Sequence, residues 1–180
     1  MIGVAKVKKV LLIAIIIFLL IIGVYGYAWF EGYKNSQRFY QQANENYEKG
    51  EYNLALKGGE FFDSSTNKYG FIGGYEQVVN TWDNKWAKPK PSFYYDSMDK
   101  ADDIIYNKLT ADEGMAIFQK HFNISNKYLP EILLQTGKLY KENGYNEEAK
   151  LVFELVIDAF GMKENIRDEA EKQLEELAND

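Results

Sequence analysis

The chain has 180 residues, a net charge of −6 and no cysteine. Without cysteine there are no disulfides, no thiolate chemistry and no cysteine-ligated zinc. The first thirty residues carry three lysines and no acid, so residues 31–180 carry −9, which argues against nucleic-acid binding and against peripheral docking on anionic lipid.

Residues 10–30 form an uncharged run, Val10 to Phe30, rich in Leu and Ile. As a helix rising about 1.5 Å per residue it matches the roughly 30 Å hydrocarbon core of a bilayer. Lys6, Lys8 and Lys9 precede it, and lysine resists translocation. The expectation is a cytoplasmic stub (1–9), a transmembrane helix (10–30) and an extracytoplasmic domain (31–180), with the chain held in the cell membrane. Tyr25, Tyr27, Trp29 and Phe30 suit the distal membrane–water interface. A cleaved signal peptide is the alternative: Val10–Ile22 is short enough for its apolar core, and Val24-Tyr25-Gly26 is a passable cleavage site.

After residue 31 the apolar period is close to 3.6 almost throughout, which predicts an all-α domain of about eight helices. The first carries Phe39, Tyr40, Ala43 and Tyr47 and stops at Gly50. The second runs from Tyr52 through Gly59 to Phe62, before the polar loop 63–67. The third runs from Phe71 to Trp86, with Gly73-Gly74 inside it marking close backbone approach. Lys88-Pro-Lys-Pro91 then breaks the chain. A fourth stripe spans Tyr94 to Leu109, and Thr110-Ala-Asp-Glu113 has the form of a capping box opening the fifth helix. Pro130 suits the first turn of the sixth, Asn146 caps the seventh before Gly161 ends it, and a charged eighth closes the chain.

Residues 130–161 resemble a tetratricopeptide repeat. Gly137, Tyr140, Gly144, Ala149 and Phe153 occupy its small, aromatic and turn positions, while Thr136, Asn146 and Gly161 depart from it. Residues 36–63 look like a second copy through Ala43, Tyr47, Gly50, Tyr52 and Ala55. The layout of stub, single span and exported helical repeats is also similar to that of bacterial translocon-associated YfgM-like proteins. The resemblance implies an array of helical hairpins with a concave surface for a protein partner. Carried over by position, that surface comprises Gln37, Tyr40, Asn44 and Tyr47 from the first copy, and Glu131, Leu134, Lys138 and Lys141 from the last. The function implied is a membrane-anchored interaction scaffold, or an accessory subunit of a membrane or envelope complex.

No cofactor or catalytic residue is expected. His121, the one histidine, sits between Lys120 and Phe122 and reads as a surface or boundary residue. Asp96, Asp99 and Asp103 share a helix face and read as solvated rather than metal-binding. The alternative function is a glycan- or small-ligand-binding module that uses the aromatics between residues 69 and 95. Among these, the helical spacing of Trp82 favours core, whereas Trp86 and Phe93 border the loop.

Overall fold

The computed structural model describes residues 4–125 and 127–179. It is all-α apart from one small β-hairpin. The helices are α1 (Val4–Glu48), α2 (Tyr52–Lys57), α3 (Tyr75–Trp82), α4 (Ser92–Asp103), α5 (Ala111–His121), α6 (Leu129–Glu142), α7 (Asn146–Phe160) and α8 (Glu164–Asn179). A π-helical turn, Ile104–Lys108, extends α4, with the Leu109 N–H donating to the Ile104 carbonyl.

The apolar run and the first predicted helix of the domain are not separate elements. They form one helix of 45 residues whose most apolar window is 0% buried. Its second half presents Trp29, Tyr33, Ser36, Tyr40, Ala43 and Tyr47 to the domain. These alternate in steps of four and three, so they form one seam along the helix. Gly50, at φ +77, turns the chain after it.

The second predicted helix is corrected. α2 ends at Lys57, and residues expected to continue it instead form β1 (Gly59–Asp63), paired antiparallel with β2 (Lys68–Ile72). The cause is local. Gly58 adopts φ +67, and a Cβ there would lie 2.4 Å from the Ile72 carbonyl oxygen. A Cβ on Gly74 would lie 2.5 Å from the Gly58 nitrogen. Backbone meets backbone at a distance only glycine permits.

The hairpin tip is held by Asp63, whose Oδ1 accepts from the Ser65 N–H and hydroxyl and whose Oδ2 accepts from the Thr66 hydroxyl. Those donors pull its carboxyl down to about 2. Phe71 anchors the strand pair on α1 through an edge-to-face contact with Phe39. α3 accordingly begins at Tyr75, and Gly73-Gly74 precedes the helix instead of lying within it.

From α5 onward the order follows the pattern. The Thr110–Glu113 capping box forms, with Thr110 Oγ1 accepting from the Glu113 N–H and Glu113 accepting from the Thr110 N–H. Pro130 lies in the first turn of α6. Asn146 is the first residue of α7 and not its cap, a place taken by Tyr145 without a side-chain bond. Packing divides into two clusters. Val78, Val79, Trp82, Phe93 and Tyr94 pack with Trp29 and Tyr33 near the apolar half of α1, and a larger core joins α2 and the π turn to α5–α8.

Candidate functional site

Three places concentrate polar or aromatic side chains. The first is the seam between α1 and α4. Tyr40 and Tyr47 lie seven residues apart on α1, and their hydroxyls donate to Asp96 and Asp103, seven apart on α4. Matched ascending pairs mean that the two helices run parallel. The Asn44 side chain accepts from the Tyr75 hydroxyl at 2.5 Å. Donation to Asp103, with burial, pushes Tyr47 up to about 12, and the same bond holds Asp103 below the usual carboxylate range. Burial first, then the Asp96 bond, raises Tyr40. The aspartates expected to be solvated are therefore in part tyrosine acceptors.

This arrangement fixes where the eight predicted partner residues stand. Tyr40, Asn44 and Tyr47 spend their polar atoms inside the domain, while Gln37 is exposed. On α6, Leu134 is buried. Lys138 pairs with Glu169 at 2.7 Å, and Lys141 with Glu176 at 2.7 Å, both on α8. Glu131 faces Lys163, just before α8, at 3.6 Å. The terminal helix thus covers the α6 half of the expected surface. The α1 and α6 residues form two sets, each tied to its own neighbours.

The second place is a hollow of about 470 Å³ between α2, β1 and the end of α5, lined by Lys57, Glu76, Gln77, Phe71, His121 and Ser125 among others. Lys57 and Glu76 form an ion pair in its wall, each side chain 1% exposed. The Lys57 ammonium also donates to the Lys127 carbonyl at 3.0 Å, and the Ser125 hydroxyl donates to Glu76. Burial lowers the Lys57 pKa against the opposing pull of Glu76. Such a pair repays its desolvation only because its remaining atoms are bonded. His121 is half-buried, and its Nε2 has no hydrogen-bond partner. Burial, then Lys57 and Lys120, holds its pKa down to about 4, so the imidazole is neutral at pH 7. Nothing in the sequence pattern linked Lys57, Glu76 and Ser125, since 68 residues separate the first from the last and only the fold closes that distance.

The third place lies beside α1 where its apolar half meets the domain. Tyr25 donates to the carbonyls of Trp86 and Lys88 at 2.8 and 2.7 Å, and Trp29 Nε1 donates to the Pro89 carbonyl at 3.0 Å. The block of aromatics divides here as its spacing suggested for Trp82 and Trp86 but not for Phe93. Trp82 is core at 1% exposure, and Trp86 is open at 71%. Phe93, which borders the loop in sequence, is buried, stacked on Tyr40 and tilted against Tyr33.

Comparison with protein families, curated proteins and solved structures finds no match. The role of these places is argued from their own chemistry.

Proposed function

We propose that the protein is a single-pass membrane scaffold or accessory subunit with a cytoplasmic N-terminus. Its helical domain lies on the far side of the membrane and binds a protein partner of a membrane or envelope complex through a tetratricopeptide-like surface. The observation that supports this reading most is the continuity of α1. One unbroken helix of 45 residues is fully exposed along its apolar half and walls the domain with the other half. An apolar helical surface of that length is stable in lipid and costly in water. A helix without a hinge also holds the domain at a fixed height and orientation, as a subunit docking on a neighbouring membrane protein requires.

The α6–α7 hairpin supports the repeat part of the reading. Gly137 lies against the Phe153 ring, Gly144 turns at φ +80, and Ala149 is fully buried. The surface offered to a partner is then Gln37 with its flanking turn, together with the part-exposed heads of Glu131, Lys138 and Lys141 at the α8 border. Photo-crosslinking residues placed at Gln37 and Lys141 in intact membranes should capture one and the same polypeptide. Adducts from a control position such as Tyr69 alone would exclude this surface, and none from any position would exclude the scaffold.

The hollow at Lys57 and Glu76 favours a second reading, a small-ligand module. Its size falls within the usual range for ligand pockets. Tyr69, Phe71, Trp86 and Tyr95 are all exposed, Tyr69 and Trp86 most of all, and could meet a sugar ring. Neither Tyr69 nor Trp86 lines the hollow, so polysaccharide retained by the immobilised protein and released by Tyr69→Ala or Trp86→Ala would favour the glycan form of this reading, through the exposed aromatics.

A further inference from the structure

The loop from Asn84 to Lys90 reads Asn-Lys-Trp-Ala-Lys-Pro-Lys, three positive charges and no acid in a domain that is otherwise strongly acidic. Its place is set by the bonds from Tyr25 and Trp29 to the carbonyls of Trp86, Lys88 and Pro89. Tyr25 lies five residues before the end of the apolar run, roughly 7.5 Å down the helix axis at 1.5 Å per residue. Backbone of this kind cannot enter hydrocarbon without unsatisfied polar groups. The loop therefore marks the level at which the bilayer's apolar core ends and its headgroups begin.

We propose that Lys85, Trp86, Lys88 and Lys90 bind the phosphate groups of anionic phospholipids in the leaflet facing the domain. The inference rests on the reading of α1 as a membrane span. Lys85 and Lys88 are exposed, and Lys88 and Lys90 line an open hollow of about 690 Å³ together with Pro89 and Tyr95. Asp83, the acid adjoining the loop, is already paired with Lys127 at 2.6 Å. The Lys85 ammonium lies over the Trp86 ring at 5.3 Å. The Lys90 ammonium lies over the Tyr94 ring at 4.2 Å and donates to the Tyr94 hydroxyl at 3.1 Å. Aromatic faces thus hold both charges beside the loop backbone. Trp86, with its ring 71% exposed, has the amphipathic character that settles at headgroup depth. Net charge argues against docking of the whole domain on anionic lipid, but folding gathers its opposite sign at the one place that meets the membrane. A lysine near an anionic surface contributes about 1 kcal/mol, or roughly fivefold in local lipid occupancy.

The test uses the full chain in liposomes of phosphatidylcholine with and without phosphatidylglycerol. Spin-labelled lipids report the preference of the protein's boundary shell for the anionic species, and brominated lipids report the depth of Trp86 by comparison with Trp86→Phe. We expect the triple variant Lys85→Gln, Lys88→Gln, Lys90→Gln to lose about fivefold or more of that preference, and high salt to weaken the preference of the wild type. Lys6, Lys8 and Lys9 are unchanged in the variant, so they cancel in the difference. Emission from Trp86 should be quenched by lipids brominated near the headgroup. An unchanged preference, or a Trp86 beyond the reach of brominated lipid, in protein that still resists alkaline extraction would overturn the loop proposal and leave the anchor standing. Extraction of the wild type by alkali would overturn both.

Discussion

Ser36 joins α1 to the core beside it with a single hydroxyl. Its Oγ donates to the Gly32 carbonyl at 2.6 Å and accepts from Trp82 Nε1 at 2.8 Å, and both Ser36 and Trp82 are buried. Ser36→Ala leaves the indole N–H without a partner, so unfolding of the detergent-solubilised protein should be easier by about 1–3 kcal/mol. An unchanged midpoint would show that the indole finds another acceptor. His121 gives a pH signature. Its folded pKa of about 4 lies below the ordinary value of 6.5, so between those values the unfolded chain binds the extra proton. Stability should therefore fall as pH drops from about 6.5 to about 4, by about 3 kcal/mol at most, and level off below. Replacing His121 by Gln should flatten that segment of the stability–pH curve. Sequence read His121 as a surface or boundary residue, and the fold leaves it half-buried, but the charges that depress it are only partly sequence neighbours. Lys120 is adjacent, whereas Lys57 arrives through the fold.

Among the elements, the α6–α7 hairpin was the most legible. Gly137 and Ala149 announced a close helix approach because only small side chains permit one. A Cβ on Gly137 would lie 2.5 Å from the Phe153 ring. Gly137→Ala should cost about 1–3 kcal/mol, read from the chemical unfolding midpoint, and Phe153→Leu in the same chain should recover part of it. The β-hairpin was the least legible. Phe61, Phe62, Tyr69 and Phe71 mimic a helical period, and no polar alternation exposes the strands because their aromatics stay largely open on both faces. Register Phe61↔Gly70 lays the Phe61 ring over a bare backbone, an interaction that exists only once the strands pair. The glycine pairs at 58–59 and 73–74 were the available signal, since Gly-Gly dipeptides mark turns and loops.

At the scale of the molecule, α1 sets the geometry. With the N-terminal lysines held inside, protease added to sealed, right-side-out cells should digest the acidic domain and leave a short protected fragment ending near Tyr25 to Phe30. Complete protection would place the domain in the cytoplasm and refute the topology. The proposed lipid contact of the 84–90 loop depends on the same geometry, because it is the long helix that carries Tyr25 to the Trp86 and Lys88 carbonyls across more than sixty residues of sequence.

An apolar run of membrane length, an all-α period and the small-residue approach of α6 on α7 are all properties of neighbours along the chain. Local spacing determined them without help. The fusion of the apolar run and the domain into one rod, the tyrosine–aspartate register of α1 with α4, the covering of α6 by α8 and the buried Lys57–Glu76 pair were decided by tertiary structure. Each joins residues far apart in sequence, and whether a polar or charged side chain faces water, a partner or its own core is settled by what packs against it, which one-dimensional spacing does not encode.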